Sequence, residues 1–242
     1  MELRRYTLHP GRLPDLLAVF ERHLVEPQEE SGMTLGGTFA DEDDPDSFTW
    51  LRGFVEVGDR VRALQAFYGG PVWAQHRDAA NAAMVDSDDV LLLRPTRPTH
   101  PPAPAVPRGG PDDRPRSERL LLGTCGVTDD DAETAEDWFA RSGQPALEDV
   151  LGVRVATWRT DPTPNRFPRL PVRRERALAW LASFPDGAAR DDAAARWAAA
   201  AAGRELDRRT TWHRTARLSP TPRSAHPRAE PPSAGAAGAE SP

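Results

Sequence analysis

The stretch Phe48-Thr49-Trp50-Leu51-Arg52-Gly53-Phe54 decides the fold of this chain. It reads as a β-strand that carries large apolar residues on both of its alternating faces, as a strand buried on both sides of its sheet does. The stretch Ala177-Leu178-Ala179-Trp180-Leu181-Ala182-Ser183-Phe184 has the same character in the other half of the chain. Two such strands indicate two sheets, each of which needs cover on both faces.

The segments around each strand follow the order strand–helix–strand–strand–helix–strand, cleanly in 1–95 and less cleanly in 118–218. The first helix of 1–95 is predicted by apolar residues at helical spacing on one face: Leu13, Leu16, Leu17, Phe20 and Leu24. Each unit then places two helices on one face of a four-stranded antiparallel sheet, and the sheet of the other unit most simply covers the bare face. The sequence therefore predicts an α+β protein, with tandem ferredoxin-like (βαββαβ) units that form a dimeric-α/β-barrel arrangement within one chain.

The regions outside the two units have a different composition. Residues 95–117 hold eight prolines, which predicts an exposed, semi-rigid linker over 96–117. Residues 219–242 are rich in Pro, Ala, Gly and Ser, which predicts a disordered tail.

The charges and the cysteine content exclude several classes of function. The formal net charge is −6, and the first half is the acidic one, which argues against nucleic acid as a partner. All 31 basic residues are Arg, which excludes Schiff-base chemistry by a lysine. The single Cys125 allows no internal disulfide and fits a buried structural thiol. Because no apolar run is long enough to span a membrane, we expect a cytoplasmic protein without a membrane partner, either monomeric or homodimeric.

A Gly69-Gly70-Pro71 break interrupts a helical pattern that runs from about residue 59 to 84. Pro71 can open a helix because the N–H that it lacks would be unpaired there anyway. Bulky side chains stand on both sides of the break, and together they look like one wall of a small-molecule pocket: Phe67, Tyr68, Trp73, His76 and Arg77.

Arg52 is the leading candidate for an anion-binding group, because it alternates with Trp50 and Phe54 on a central strand. Such a residue either faces the barrel interior or pairs with a buried acid. In the first case it would bind an enol, phenolate or carboxylate, beside Tyr6 and the aromatic residues of the break. Trp50 fits a core residue better than a surface on which a ligand stacks.

His76 is the candidate for proton transfer, since it follows the break among aromatic residues, although a plain surface or packing histidine fits better. No two of the six histidines lie at i, i+3 or i, i+4, so a helical metal site is not predicted. We expect neither a metal nor a cofactor.

Residues 2–95 resemble the NIPSNAP family. The matching stretches occur in the family's order: 2–8 with Pro10-Gly11, 48–54, 66–73, 76–81 and 86–95. The resemblance implies a dimeric α/β-barrel fold, in a superfamily that includes cofactor-free antibiotic-biosynthesis monooxygenases, small isomerases and haem-dependent dismutases. In the haem enzymes an axial histidine is required, and only His213 or His76 could serve as one here. The resemblance carries over no catalytic residues.

Two hypotheses for the function follow. In the first, the protein is a barrel with a small-molecule cavity. It would then serve as a metal-free accessory enzyme of the oxygenase or isomerase type, acting on a small aromatic or polyketide-like substrate. Alternatively, it is a non-catalytic scaffold that binds protein partners. A closed cavity lined by Trp50, Arg52 and Tyr6 would favour the first hypothesis, whereas a barrel filled by side chains together with an exposed apolar patch would favour the second.

Overall fold

The computed structural model of the chain describes residues 1–54, 59–96, 107–127 and 134–226. Eight strands within these ranges close a barrel in the order β1-β3-β2-β8-β5-β7-β6-β4, and all neighbouring strands are antiparallel. The strands are β1 (Glu2–Leu8), β2 (Met33–Asp41), β3 (Ser47–Phe54), β4 (Met84–Pro95), β5 (Arg119–Val127), β6 (Val155–Thr160), β7 (Ala177–Phe184) and β8 (Thr210–Pro220).

Helices lie between the strands and pack on the outside of the barrel. They are α1 (Leu13–Val19), α2 (Val25–Glu30), α3 (Arg60–Tyr68), α4 (Pro71–Asn81), α5 (Ala135–Trp138), α6 (Gln144–Leu151), α7 (Gly187–Ala199) and α8 (Ala201–Arg208). Two π-helical turns, Phe20–Leu24 and Phe139–Gly143, join α1 to α2 and α5 to α6. The predicted start of a helix at Asp130 lies outside the described residues.

The two halves of the chain complete one another's sheets. In each half the strand order is last–first–third–second, the order of a βαββαβ unit. The halves meet where β2 pairs with β8, with Ala40 opposite Ser219, and where β4 pairs with β6, with Arg94 opposite Arg159. The prediction of tandem ferredoxin-like units in an intrachain barrel is confirmed.

Side chains fill the barrel interior, and both halves contribute them. The interior cluster includes Leu3, Leu51 and Leu91 from the first half, and Leu122 and Leu181 from the second. Two further clusters lie between the sheet and the helices, one for each half. The double apolar alternation of β3 therefore reflects burial against the barrel interior on one face and against helices on the other.

The interruption predicted at Gly69-Gly70-Pro71 separates α3 from α4. Gly69 ends α3, with its N–H donating to the Gln65 carbonyl at 2.9 Å. Gly70 is extended, at φ −83° and ψ 164°, and Pro71 is the first residue of α4. The proline thus occupies the position where its missing N–H carries no penalty.

The segments expected to be linker and tail are ordered where the structure describes them. β8 continues to Pro220, past the expected boundary at 218, and Thr221 donates its N–H to the Thr38 carbonyl at 3.0 Å. From the linker, Arg108 donates to the carbonyl oxygens of Leu35 and Arg223, both at 2.7 Å. Residues 107–117 form no helix or strand, and seven of these eleven residues are exposed, as expected of a linker. Residues 219–226 correct the expectation of a tail that is disordered from 219, because pairing with β2 and hydrogen bonds to Thr38 hold them against the first half. Residues 97–106 and 227–242 lie outside the described ranges.

No helix among the described residues is long and apolar enough to cross a membrane.

Candidate functional site

A cleft of about 380 Å³ lies between the interrupted helices of the first half and the connection that joins β6 to β7 in the second half. Helices α3 and α4 and the connection supply the lining: Tyr68, Trp73, Arg77, Asp78, Asn81, Phe167, Arg169 and Leu170. Its volume falls in the range of small-molecule sites, and its lining divides evenly between four aromatic or apolar residues and four polar or charged ones.

Three aromatic rings shape the apolar part of the cleft. The Tyr68 and Trp73 rings meet edge to face, with centroids 5.0 Å apart and an interplanar angle of 81°. The Phe167 ring stacks on Tyr68, with centroids 6.2 Å apart and an angle of 29°. Because the break places Tyr68 at the end of α3 and Trp73 at the start of α4, the two rings can meet at this angle, and they present a surface suited to a flat ring.

Tyr68 connects the cleft to a buried ion pair. Its hydroxyl oxygen accepts a hydrogen bond from Nη1 of Arg52 at 3.3 Å. Arg52 is fully buried and donates through Nε and Nη2 to Oε2 of Glu2, at 2.8 and 2.6 Å. Of the two alternatives left open by the sequence, Arg52 adopts the pairing with a buried acid. Its side chain lies on the helix-facing side of the sheet, with its guanidinium 5.1 Å from the Trp50 ring centroid.

Glu2 is shared by three guanidinium groups. Besides Arg52, Arg4 donates to Oε2 at 3.0 Å and Arg60 donates to Oε1 at 2.7 Å. Burial by itself would raise the pKa of the Glu2 carboxyl, but the charges of Arg52, Arg4 and Arg60 outweigh burial and hold its pKa well below the ordinary value. One carboxylate against three guanidiniums leaves this cluster with a formal excess of two positive charges.

The ionic groups of the cleft differ in whether they are already paired. Arg77 and Asp78 form an ion pair with each other, with Nε to Oδ1 at 3.3 Å. Arg169 makes no hydrogen bond or ion pair with any residue of the described part of the chain. With respect to the described part of the chain, the cleft therefore offers one unpaired cation, Arg169.

The structure brings some of the sequence-predicted site residues together and separates others. Tyr68 and Trp73 line the cleft, and Phe67 is buried directly behind them. Tyr6 and Trp50 lie in the core between the sheet and the helices, where the Tyr6 hydroxyl accepts from Nε of Arg4 at 3.2 Å. Burial raises the pKa of Tyr6.

His76 lies apart from this group. Its ring stacks on that of His23, with centroids 4.1 Å apart and nearly parallel planes, and it is absent from the cleft lining. His213 is on β8, where its Nδ1 lies 3.1 Å from Oδ1 of Asp207. Within the described residues, no three groups of the kinds that bind metals lie close enough together to hold an ion.

Sequence reasoning missed the second wall of the cleft. Phe167 and Leu170 belong to the β6–β7 connection, yet they pack with the core of the first half. Asn165 secures the connection, since its Oδ1 accepts from Nη1 of Arg60 at 2.9 Å and its Nδ2 donates to the Leu170 carbonyl at 2.8 Å. A signal was available in the sequence, because a Phe and a Leu in a connection otherwise rich in Pro and Arg are typical of a segment anchored on a core.

Comparison with known proteins gives a family match for the first half. Residues 1–98 match the model of the NIPSNAP family, which confirms the resemblance seen in the sequence. No match was found among curated proteins.

Solved structures share the fold over almost the whole chain. A proposed monooxygenase from Lactobacillus acidophilus NCFM has a TM-score of 0.53 at 13% identity and covers 96% of this chain and 97% of its own. A proposed monooxygenase from Fusobacterium nucleatum has a TM-score of 0.57 at 6% identity, with 96% of each chain covered. An anthrone oxidase-like protein has a TM-score of 0.50 at 11% identity, with coverage of 93% and 92%. At these identities the likeness establishes the fold alone.

Proposed function

Residues 1–98 are a NIPSNAP domain, and from that premise we propose that the protein binds a small aromatic or polyketide-like molecule in the cleft and promotes metal-free proton transfer on it. The ligand's flat ring lies against the Tyr68 and Trp73 rings, beside the Phe167 ring that stacks on Tyr68. The Tyr68 hydroxyl meets an oxygen of the ligand.

The observation that carries the proposal is the position of Tyr68, which both lines the cleft and accepts a hydrogen bond from Arg52. A hydroxyl that accepts from a cation becomes a stronger donor, because hydrogen bonds in a chain polarise one another. Its own proton remains free to be donated to a ligand oxygen. Arg52 thus acts on the ligand through Tyr68 and does not bind it directly.

This arrangement suits a reaction in which negative charge develops on a ligand oxygen. When a ring ketone loses a proton from the adjacent carbon, the electron pair moves to the oxygen and forms an enolate. A fixed donor aimed at that oxygen stabilises the charge as it forms. The excess positive charge of the Glu2 cluster behind Tyr68 acts in the same direction. We assign the acceptance of the proton to Asp78, the carboxylate among the residues that line the cleft.

The same enolate is the first intermediate of two reaction types. Return of the proton to a different carbon completes an isomerisation. Reaction of the enolate with molecular oxygen begins an oxygenation. The side chains of the cleft supply the deprotonation that both types share.

Of the two features that would favour the scaffold hypothesis, a filled barrel and an exposed apolar patch, the first is present. The barrel interior is filled by side chains, as that hypothesis expects. Among the described residues, however, Val85 is the one large hydrophobic side chain that is exposed. An isolated apolar residue is ordinary on a protein surface and does not form a docking patch.

The test uses 2-tetralone, an enolisable ketone fused to an aromatic ring. We expect it to quench tryptophan fluorescence saturably through Trp73, and Trp73→Phe should remove that signal. Tyr68→Phe keeps the ring and deletes the hydroxyl, so affinity should fall about threefold to tenfold, the value of one hydrogen bond. Tyr6→Phe is the matched control, because it deletes the chain's other phenol outside the cleft and should leave affinity unchanged.

Hydrogen exchange separates an enzyme from a binding protein. In deuterium oxide the protein should accelerate exchange of the hydrogens adjacent to the ketone, followed by NMR. Asp78→Asn should abolish the acceleration without weakening binding. Absence of saturable quenching by wild type, or quenching that survives in Trp73→Phe, would overturn the assignment of the cleft. Binding without accelerated exchange would overturn the catalytic part alone.

A further inference from the structure

The charges around the cleft are unbalanced in one direction. Within the lining, Arg77 and Asp78 neutralise one another, while Arg169 is unpaired among the described residues. Behind the lining, Arg4, Arg52 and Arg60 surround the single carboxylate of Glu2. Charges that are buried or lie next to apolar surface are less screened than charges in open water. A ligand in this cleft therefore experiences a positive potential.

Of the arginines on the β6–β7 connection, whose residues 161–176 the structure describes in full, Arg169 is the one that lines the cleft. Arg173, on the same connection, is held by Asp89 at 3.0 Å and lies over the Trp212 ring. Arg166 is exposed and makes no hydrogen bond or ion pair with the described part of the chain, as is true of Arg169, but it lies outside the cleft lining. Arg169 is the arginine of this segment that joins a free charge to the aromatic surface.

We infer that the cleft selects an aromatic ligand that carries a single carboxylate, and that Arg169 is the residue that determines this preference. The inference rests on the proposed function, since it names the ligand class of the same cleft. The aromatic ring occupies the space between Trp73 and Phe167, and the carboxylate pairs with the Arg169 guanidinium at the rim. One unpaired cation in the lining matches one negative charge, and a planar guanidinium suits a carboxylate because it can donate two parallel hydrogen bonds.

The experiment compares 2-naphthoate with its uncharged methyl ester, which has the same ring. Dissociation constants are measured by fluorescence quenching for wild type, Arg169→Gln and Arg166→Gln at low and high NaCl. Wild type should prefer the carboxylate about fivefold, the upper value for an exposed charge pair. Arg169→Gln should remove the preference, so that the acid and the ester bind with equal affinity. Arg166→Gln should retain the preference, and high salt should reduce it in wild type.

The outcomes separate this inference from the proposal beneath it. Ester and carboxylate binding equally well to wild type would overturn the charge preference and leave the aromatic cleft standing. An equal loss in Arg166→Gln and Arg169→Gln would overturn the role of Arg169 in favour of the general field of the connection. If neither naphthoate nor ester nor 2-tetralone bound, the proposed function itself would fall, and this inference with it.

Discussion

Glu2 and Arg52 show how one buried ion pair can position a site without belonging to its surface. Both side chains are fully buried, and Arg52 uses three of its donor atoms, two on Glu2 and one shared by Gln28 and Tyr68. Breaking such a pair leaves a buried charge without its partner, which is more costly than the loss of an exposed pair. The anion-stabilising role predicted for Arg52 is therefore proposed to act through Tyr68.

Replacement of Arg52 tests this role at the residue scale. Arg52→Met should lower the free energy of unfolding at pH 7 by about 3–5 kcal/mol, measured by urea denaturation. The exposed Arg62 of α3, which pairs with Asp59 just before the start of that helix, is the control, and Arg62→Met should change stability by less than about 1 kcal/mol.

The pH dependence of this effect has a definite sign. The folded protein holds the pKa of Glu2 below its unfolded value of 4.5, so the stabilisation by the cluster is fully present above pH 4.5. It is lost as the pH falls below 4.5 toward the folded pKa, where Glu2 takes up a proton. The difference in the free energy of unfolding between wild type and Arg52→Met should therefore become smaller below pH 4.5. A difference in unfolding free energy that is small at pH 7, or that grows below pH 4.5, would contradict a stabilising role of the Glu2–Arg52 ion pair.

At the scale of elements, the site depends on the break between α3 and α4 and on the connection that packs against it. The break turns Tyr68 and Trp73 toward one another, and the connection supplies Phe167 as the opposing surface. The ends of helices and a loop anchored on a core are the places where side chains from distant parts of a chain can converge.

Gly69 permits this break because the chain passes very close to α3. A Cβ on Gly69 would lie 2.8 Å from the Gln65 carbonyl oxygen. Gly69→Ala should therefore lower stability by about 1–3 kcal/mol, the cost of an overpacked position. It should also weaken 2-tetralone binding, because the added methyl group displaces the adjacent Tyr68. At Gly187 a Cβ would meet its nearest atom at 3.7 Å, so Gly187→Ala should change stability by less than about 0.5 kcal/mol. Stability is measured by thermal unfolding. Equal losses of stability in Gly69→Ala and Gly187→Ala would refute the close approach of Gly69 to the Gln65 carbonyl.

At the scale of the whole molecule, the barrel interior belongs to neither half alone. Leu3, Leu51 and Leu91 meet Leu122 and Leu181 across it. The edges of the first sheet, β2 and β4, pair with β8 and β6. Each half therefore covers the apolar face and the strand edges of the other.

A fragment of residues 1–95 exposes what the second half covers. It would present an apolar sheet face and two unpaired edge strands, which are features that promote association. We expect concentration-dependent self-association or aggregation in size-exclusion chromatography with light scattering, whereas the full chain under the same conditions should give a defined species. A folded, monodisperse monomer of 1–95 would show that the interior face does not need its partner sheet.

The sequence by itself determined the local elements and their pairing into a barrel. Helical spacing from Leu13 to Leu24, the doubly apolar strand at 48–54 and the break at Gly69-Gly70-Pro71 all predicted what the structure contains. These features are local, because the backbone period and the missing N–H of proline act within a few residues. The same signals were clear enough to reveal the NIPSNAP resemblance.

Only the tertiary structure decided which face of β3 lies against the barrel interior and which residues line the cleft. When both alternations are apolar, periodicity cannot tell the barrel interior from the helix layer, so the pairing of Arg52 with Glu2 stayed open. Phe167 and Arg169 lie about a hundred residues from Tyr68 along the chain, and residues 221–226 are held by hydrogen bonds to partners near the start. Such contacts arise when two halves close on one another, and no local pattern encodes them.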